Sequence, residues 1–243
     1  MTTKIGTLKT VAFDAPDHQA LARFYVALTG GEVHDREDDW VTAFTGDGWR
    51  LGFQAAPGHI APRWPDPEHP QQMHLDFQVA ELATATAAAE RLGARKLGGG
   101  EGRNVMADPA GHPFCLCINE QSEPIRTFAV NVDCPDGEPL SAFYAAIFGY
   151  QLKYLRHRMA WIGAEESTPM GEVLFQPVAD YRPPRWPEPA YPQQVHLDIH
   201  VEDIELAERQ VLALGARRLP GEGVDWRVYA DPDGHPFCLL WKV

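Results

Sequence analysis

Asp108-Pro-Ala-Gly-His-Pro-Phe-Cys-Leu116 and Asp231-Pro-Asp-Gly-His-Pro-Phe-Cys-Leu239 are one phrase written twice, and that repetition decides how the rest of the chain is read. Working outward, Pro70-Gln-Gln-Met-His-Leu-Asp76 is answered by Pro192-Gln-Gln-Val-His-Leu-Asp198, and Arg63-Trp64-Pro65 by Arg185-Trp186-Pro187. Phe24-Tyr25 returns as Phe143-Tyr144, and Ala15-Pro-Asp17 as Cys134-Pro-Asp136. The displacement grows from 119 residues at Phe24/Phe143 to 122 at His74/His196 and 123 at Asp108/Asp231, so insertions are small and fall between the blocks. Solenoid repeats have periods of ~20–50 residues; a period this long is duplication of a whole domain. The reading is two domains, residues 1–119 and 120–243. They are joined by Asn119-Glu-Gln-Ser-Glu-Pro124, a stretch too short for a flexible tether, which predicts that the halves pack tightly.

Each copy carries two helical patterns. Leu21, Phe24, Tyr25 and Leu28 fall at i, i+3, i+4, i+7, as do Leu140, Phe143, Tyr144 and Ile147. Asp17 and Asp136 are placed to cap these helices, and Gly30 and Gly149 to stop them. Leu82, Ala85, Ala89 and Leu92 repeat the pattern up to Gly93; Ile204, Ala207, Val211 and Leu214 repeat it up to Gly215. Strands are read at Leu8–Phe13, Val41–Phe44, Leu51–Gln54, Met73–Val79, Asn104–Ala107 and Phe114–Ile118 of copy one. Runs of strands after each helix imply an α+β fold with antiparallel-rich sheets and helices on one face.

The composition is that of a globular protein, 44% hydrophobic and 23% charged. A net charge of −13 argues against nucleic acid, whose phosphates need a basic face. No apolar run approaches the ~20 residues that span a bilayer, and Met1-Thr-Thr-Lys-Ile-Gly6 lacks a signal-peptide core, so the expectation is a cytoplasmic protein with no membrane partner. Cys115, Cys117, Cys134 and Cys238 form no CxxC pair and are read as reduced thiols.

The order β-α-β-β-β, given twice per copy, resembles the module of the vicinal oxygen chelate superfamily of glyoxalases, bleomycin-resistance proteins and dioxygenases. The carriers are a Phe-Tyr helix ending in Gly, a His-Leu-Asp strand, a helix ending Leu-Gly-Ala-Arg, and the Asp-Pro-x-Gly-His-Pro-Phe-Cys-Leu turn. The resemblance implies four βαβββ modules curled into half-open barrels with helices outside, the chain acting as a fused pseudo-dimer. It leaves open whether modules pair within a copy or across the two. It also implies metal ligands, usually two His and two Glu, on the first and last strand of each module. Here those places fall at Thr10, Gln54, His74 and Cys115 in copy one, and at Ala129, Gln176, His196 and Cys238 in copy two. One imidazole, one amide, one thiol and a Thr or Ala suit a hard metal poorly. Asp76 and Asp198 are the only ready replacements, and the expectation is a site with no metal and no cofactor.

Alternation puts His74, Asp76 and Gln78 on one strand face and Leu75, Phe77 and Val79 on the other; copy two sets His196, Asp198 and His200 against Leu197, Ile199 and Val201. The polar sets should line a cleft, with Cys115 and Cys238 beside them. His74/Asp76 and His196/Asp198 are candidates for acid–base catalysis, or they merely satisfy one another. The two thiols are read as small hydrophobes in preference to nucleophiles. Trp64 and Trp186 stand in a proline-rich connection that is either a rigid strap or a lid over a flat ligand. Trp40, Trp161, Phe53 and Phe175 are candidate wall residues. Aligning the copies pairs Arg103 with Trp226, Met106 with Tyr229, Ile118 with Trp241 and Gln78 with His200, which predicts a more aromatic cleft in copy two.

The function expected is binding of a small, aromatic molecule in one or both clefts. The rivals are a metal-independent enzyme using the His/Asp pairs and a metal-dependent lyase or dioxygenase.

Overall fold

The computed structural model describes residues 4–66, 68–122 and 124–242; the first three residues of the amino-terminal stretch and Glu123 of the joint lie outside it. The chain forms four modules of one pattern. The first is β1 (Thr7–Ala15), α1 (His18–Thr29), β2 (Glu32–Arg36), β3 (Trp40–Phe44) and β4 (Arg50–Ala55). The second is β5 (Met73–Val79), α2 (Leu82–Arg91), β6 (Arg95–Gly100), β7 (Arg103–Ala107) and β8 (Pro113–Ile118). The third is β9 (Arg126–Cys134), α3 (Gly137–Phe148), β10 (Gln151–Arg156), β11 (Met159–Gly163) and β12 (Glu172–Pro177). The fourth is β13 (Val195–His200), α4 (Ile204–Ala213), β14 (Arg217–Glu222), β15 (Trp226–Ala230) and β16 (Pro236–Leu240).

The modules pair across the copies. Sheet A runs β14-β15-β16-β13-β1-β4-β3-β2 and sheet B runs β10-β11-β12-β9-β5-β8-β7-β6. The first module therefore shares a sheet with the fourth through the antiparallel β1–β13 joint, and the second with the third through β5–β9. Both sheets are mixed and neither closes into a barrel: β1–β4, β5–β8, β9–β12 and β13–β16 are parallel, the other pairings antiparallel.

The sequence of each first helix dictates its packing. Asp17 accepts a hydrogen bond from the Ala20 amide at 2.8 Å, and Gly30 ends the helix at φ 69°, a left-handed turn that glycine adopts without steric cost. Between these stops Leu21, Phe24, Tyr25 and Leu28 are all buried. Phe13 and Phe53 from sheet A and Tyr25 from α1 interlock with Phe77 and Phe114 from sheet B, Tyr25 lying 5.7 Å from Phe53 and 6.3 Å from Phe77. Each copy thus keeps its own core even though its strands belong to two sheets. The second helices cover less. Ala89 is buried on α2 and Ala207 and Val211 on α4, whereas Leu92 and Leu214, read as part of the stripe, cap the helices and are exposed.

The Asp-Pro-x-Gly-His turns are structural. The Tyr25 hydroxyl donates to Asp108 Oδ2 at 3.0 Å, and His112 Nδ1 lies 2.9 Å from that oxygen. Tyr144, Asp231 and His235 repeat the arrangement at the same distances. Each triad is buried and ties a first-module helix to the last turn of its own copy.

Candidate functional site

Alternation along a strand determines what each sheet shows on the face without helices. On β1, Val11 and Phe13 join the core while Thr10, Ala12 and Asp14 face away; on β9, Val130 and Val132 join the core while Ala129, Asn131 and Asp133 face away. Strand register then assembles rows across the sheet. In sheet B, Trp161 is opposite Leu174, Leu174 opposite Asn131, and Asn131 opposite His74. One step along, Gln176 is opposite Asp133; one step back, Ala129 is opposite Asp76 and Asp76 opposite Cys115. Sheet A sets Gln54 opposite Asp14, Ala12 opposite His196, and Thr10 opposite Asp198 beside Cys238.

This corrects the grouping by copy. Thr10 and Gln54 share a face with His196, Asp198 and Cys238; Ala129 and Gln176 share one with His74, Asp76 and Cys115. Each face draws on both halves of the chain, because the modules that pair come from different copies.

Within each face the His, Asp and Cys converge: one ligand-capable atom from each of His74, Asp76 and Cys115 lies within 4.8 Å of the others, and the same holds for His196, Asp198 and Cys238. His74 Nε2 is 3.3 Å from Asp76 Oδ1, and His196 Nε2 is 3.4 Å from Asp198 Oδ1. Burial alone would push both imidazoles towards the neutral form. The carboxylate and thiol beside each outweigh it, so both are raised well above the usual histidine range. Burial raises the Cys238 thiol despite His196, which leaves it protonated and a poor nucleophile. His74 Nδ1, His196 Nδ1, Asp76 Oδ1 and Asn131 Oδ1 are buried without a hydrogen-bond partner. Asn131 Nδ2 approaches Asp76 Oδ2 at 3.5 Å, the long end of a hydrogen bond.

Two residues not picked out from the sequence complete the faces. Asp133 is 4% exposed, accepts from Gln71 Nε2 at 3.1 Å and has Gln176 Nε2 at 3.5 Å. Asp14 accepts from Gln193 Nε2 at 3.0 Å. The first glutamine of each Pro-Gln-Gln phrase thus reaches a carboxylate of the other copy. The second glutamines meet between the copies, the Gln194 amide donating to Gln72 Oε1 at 3.1 Å. Burial raises Asp133 to about 6, with His74 and the Gln71 hydrogen bond holding it lower than burial alone would; Asp14 is raised for the same reason. The period-two pattern that singles out His74 and Asp76 also runs through Thr10, Ala12 and Asp14, and is the signal that could have found them.

The faces are not equally open. In sheet A the Trp40 indole lies over Gly52, where an added Cβ would meet the Trp40 ring, and Trp40 Nε1 donates to Thr42 Oγ1 at 2.9 Å. Sheet B has Leu174 and Asn131 in the corresponding row. Above it is a cavity of ≈280 Å³ walled by Trp64 and Tyr181, with Gln71, Asp133 and Gln176 also lining it. A larger cavity of ≈340 Å³ sits between the two proline-rich connections, bounded by Ile60, Tyr191, Gln72 and Gln194. None of the His–Asp–Cys residues lines either cavity. The sheet B cavity is the better candidate despite its smaller size, because its Asp133 and Gln176 belong to the same face as His74.

The remaining sequence candidates sort as follows. Trp64 packs on Gly98 at the sheet B edge, while Trp186 packs with Trp226 around Gly221 of sheet A. Trp161 stands in the His74 row with its Nε1 donating to Glu172 Oε2 at 2.6 Å. His200 is half-buried at the end of β13, opposite Thr7. Phe53 and Phe175 are not wall residues; both are fully buried on the helix side, against Tyr25 and Tyr144. Met106 and Tyr229 are buried in the core as well, and Trp241 packs against it beneath Arg227. Of the aromatics expected to enrich a cleft of copy two, Trp226 alone lies beside a site-side tryptophan.

Two βαβββ modules joined edge to edge, with polar residues of four strands converging on the helix-free face, define the paired-module class to which metal-chelating glyoxalases and dioxygenases belong. The chain belongs to the glyoxalase-like domain family of the vicinal oxygen chelate superfamily, whose model matches residues 10–117 and 129–240. Glyoxalase I from Zea mays is similar at 16% identity, with a TM-score of 0.66 over 97% of this chain and 92% of that one. A putative dioxygenase from Bacillus subtilis is similar at 12% identity, with a TM-score of 0.67 over 98% and 86%. At these identities the likeness is one of fold. No curated protein sequence matches the chain.

The superfamily's metal ring does not fit these residues. In sheet B the first-strand place is Ala129, which has no donor, and in both sheets the last-strand carboxylate is a thiol. What converges instead is a three-donor group, a His and a Cys at two of the family's ligand places and an Asp two residues along the His strand.

Proposed function

We propose that the protein binds a small organic molecule on the helix-free face of sheet B, without a resident metal, and that sheet A carries a narrower second site. The observation that carries this reading is the ≈280 Å³ cavity between Trp64 and Tyr181, which is lined by the buried Asp133 and by Gln176. An apolar aromatic wall with a few fixed polar groups is what small-molecule sites are built from. The unpartnered buried atoms of His74, Asp76 and Asn131, on the same face, give a bound polar group something to satisfy.

The acid–base reading of His74/Asp76 and His196/Asp198 is less favoured. An imidazole held charged by its carboxylate donates protons and cannot accept one, so neither histidine is poised as a general base near neutral pH. A zinc-dependent reading is favoured by one observation, the convergence of three potential ligands, the minimum protein set for a catalytic zinc. The deciding experiment is a thermal-shift and tryptophan-fluorescence screen of small aromatic compounds against wild type, Trp64→Ala and Gln176→Ala. Hits should lose about tenfold or more in affinity in both variants, the range for one buried contact. Hits whose affinity neither variant changes would place the site elsewhere.

A further inference from the structure

We propose that the sheet B cavity takes an organic cation, a protonated or quaternary amine carried on an aromatic or apolar body. This deepens the binding reading above and rests on it.

The residues lining the cavity include Asp66, Asp133 and Asp180 against a single base, Arg182. That base is already committed, its Nη2 lying 2.6 Å from Glu68 Oε1. Asp133, the buried acid of the three, takes its side-chain hydrogen bonds among the described residues from the neutral amides of Gln71 and Gln176. Asp76 adds a second buried carboxylate to the face, its Oδ1 lying 3.3 Å from His74 Nε2. The His74 imidazolium offsets one of these two charges and leaves the other. A buried carboxylate without a cation is costly, and a ligand that brings one removes that cost. The walls agree with this assignment. Trp64 and Tyr181 line the cavity, and aromatic walls accommodate a cation and supply apolar contact without demanding a counter-charge. An anionic ligand would instead meet Asp133 and Asp180 with no free guanidinium or ammonium in the described lining.

The test is calorimetric titration of the full chain at pH 7.5 with three matched probes: 2-phenylethylammonium, 2-phenylethanol and 3-phenylpropionate. The ammonium should bind about tenfold or more tighter than the alcohol, as expected for one cation–carboxylate and cation–π contact. The carboxylate should bind weakest. Asp133→Asn should bring the ammonium to within about threefold of the alcohol. Equal binding of ammonium and alcohol to wild type, or tighter binding of the carboxylate, would overturn the cation assignment while leaving the binding site standing. If none of the three binds at millimolar concentration, the binding reading of this cavity fails and the cation assignment falls with it. The wild-type series decides by itself should Asp133→Asn not fold.

Discussion

Asp133→Asn should make the protein more stable, and more so as the pH rises. Burial lifts the Asp133 carboxyl from 3.8 to about 6 in the folded chain. The folded state therefore holds a proton that the unfolded state releases between roughly pH 4 and pH 6, so stability falls as pH rises through that window. This is opposite to the behaviour of a salt-bridged carboxylate. With one pKa unit equal to about 1.36 kcal/mol, a shift of about two units amounts to about 3 kcal/mol of destabilisation above pH 7 and about 0.5 kcal/mol at pH 4. Asp133 is 4% exposed, so solvent screening gives no reason to reduce these figures. His74, which faces it, is charged throughout the window and does not titrate within it. Asparagine keeps an acceptor for Gln71 Nε2 and carries no charge to desolvate. Urea unfolding of both proteins at pH 4, 5, 6 and 7.5 should therefore show the advantage of Asp133→Asn over wild type growing by about 2.5 kcal/mol across the range. A difference that stays constant with pH within about 0.5 kcal/mol would mean that Asp133 is not held as a strained, cation-seeking carboxylate.

Phe24→Ala and Phe143→Ala, both at buried positions, should each cost ~3–5 kcal/mol in denaturant unfolding, and a loss below ~1 kcal/mol would show the helix stripe misplaced. Tyr25→Phe should cost about 1.5–3 kcal/mol by removing one hydrogen bond to the buried Asp108 carboxylate, which keeps that of His112, with Tyr144→Phe behaving alike towards Asp231; two neutral substitutions would dissolve the structural role of the triads. Elemental analysis after dialysis should find no stoichiometric divalent metal, whereas about one tightly held ion per His–Asp–Cys group would establish the zinc-dependent reading. For a sheet B ligand such as the phenylethylammonium probe, His74→Ala should weaken binding and His196→Ala should not; equal effects would mean that the two faces are not independent sites.

Much of this arrangement is legible in the sequence because it is local. The Phe-Tyr stripes, their Asp and Gly stops, and the alternation in Met73–Val79 are fixed by neighbours within a few residues, and the structure keeps them. The strands that sequence reading misses are those where local signal is weakest. β2, β6, β10 and β14 are the four sheet edges, and Glu32–Arg36 and Arg95–Gly100 read as polar or glycine-rich segments. An edge strand is paired on one side and covered lightly, so no burial pattern is imposed on it. The partnership of modules is not legible at all, since a β1 that pairs with β13 and one that pairs with β5 need the same alternation. That ambiguity misassigns the site: grouping by copy sets His74 with Gln54, when it shares a face with Gln176 of the other copy. It also hides the carboxylates, for Asp14 and Asp133 stand close to helix caps in sequence and acquire meaning only when Gln193 and Gln71 arrive from the opposite copy. The crossed pairing has a functional corollary. Each His–Asp–Cys group comes from one copy, but the face around it is completed by the other, Asn131, Asp133 and Gln176 beside His74 and Thr10, Asp14 and Gln54 beside His196, so a half-chain that folded around its own aromatic core would still lack half of each face.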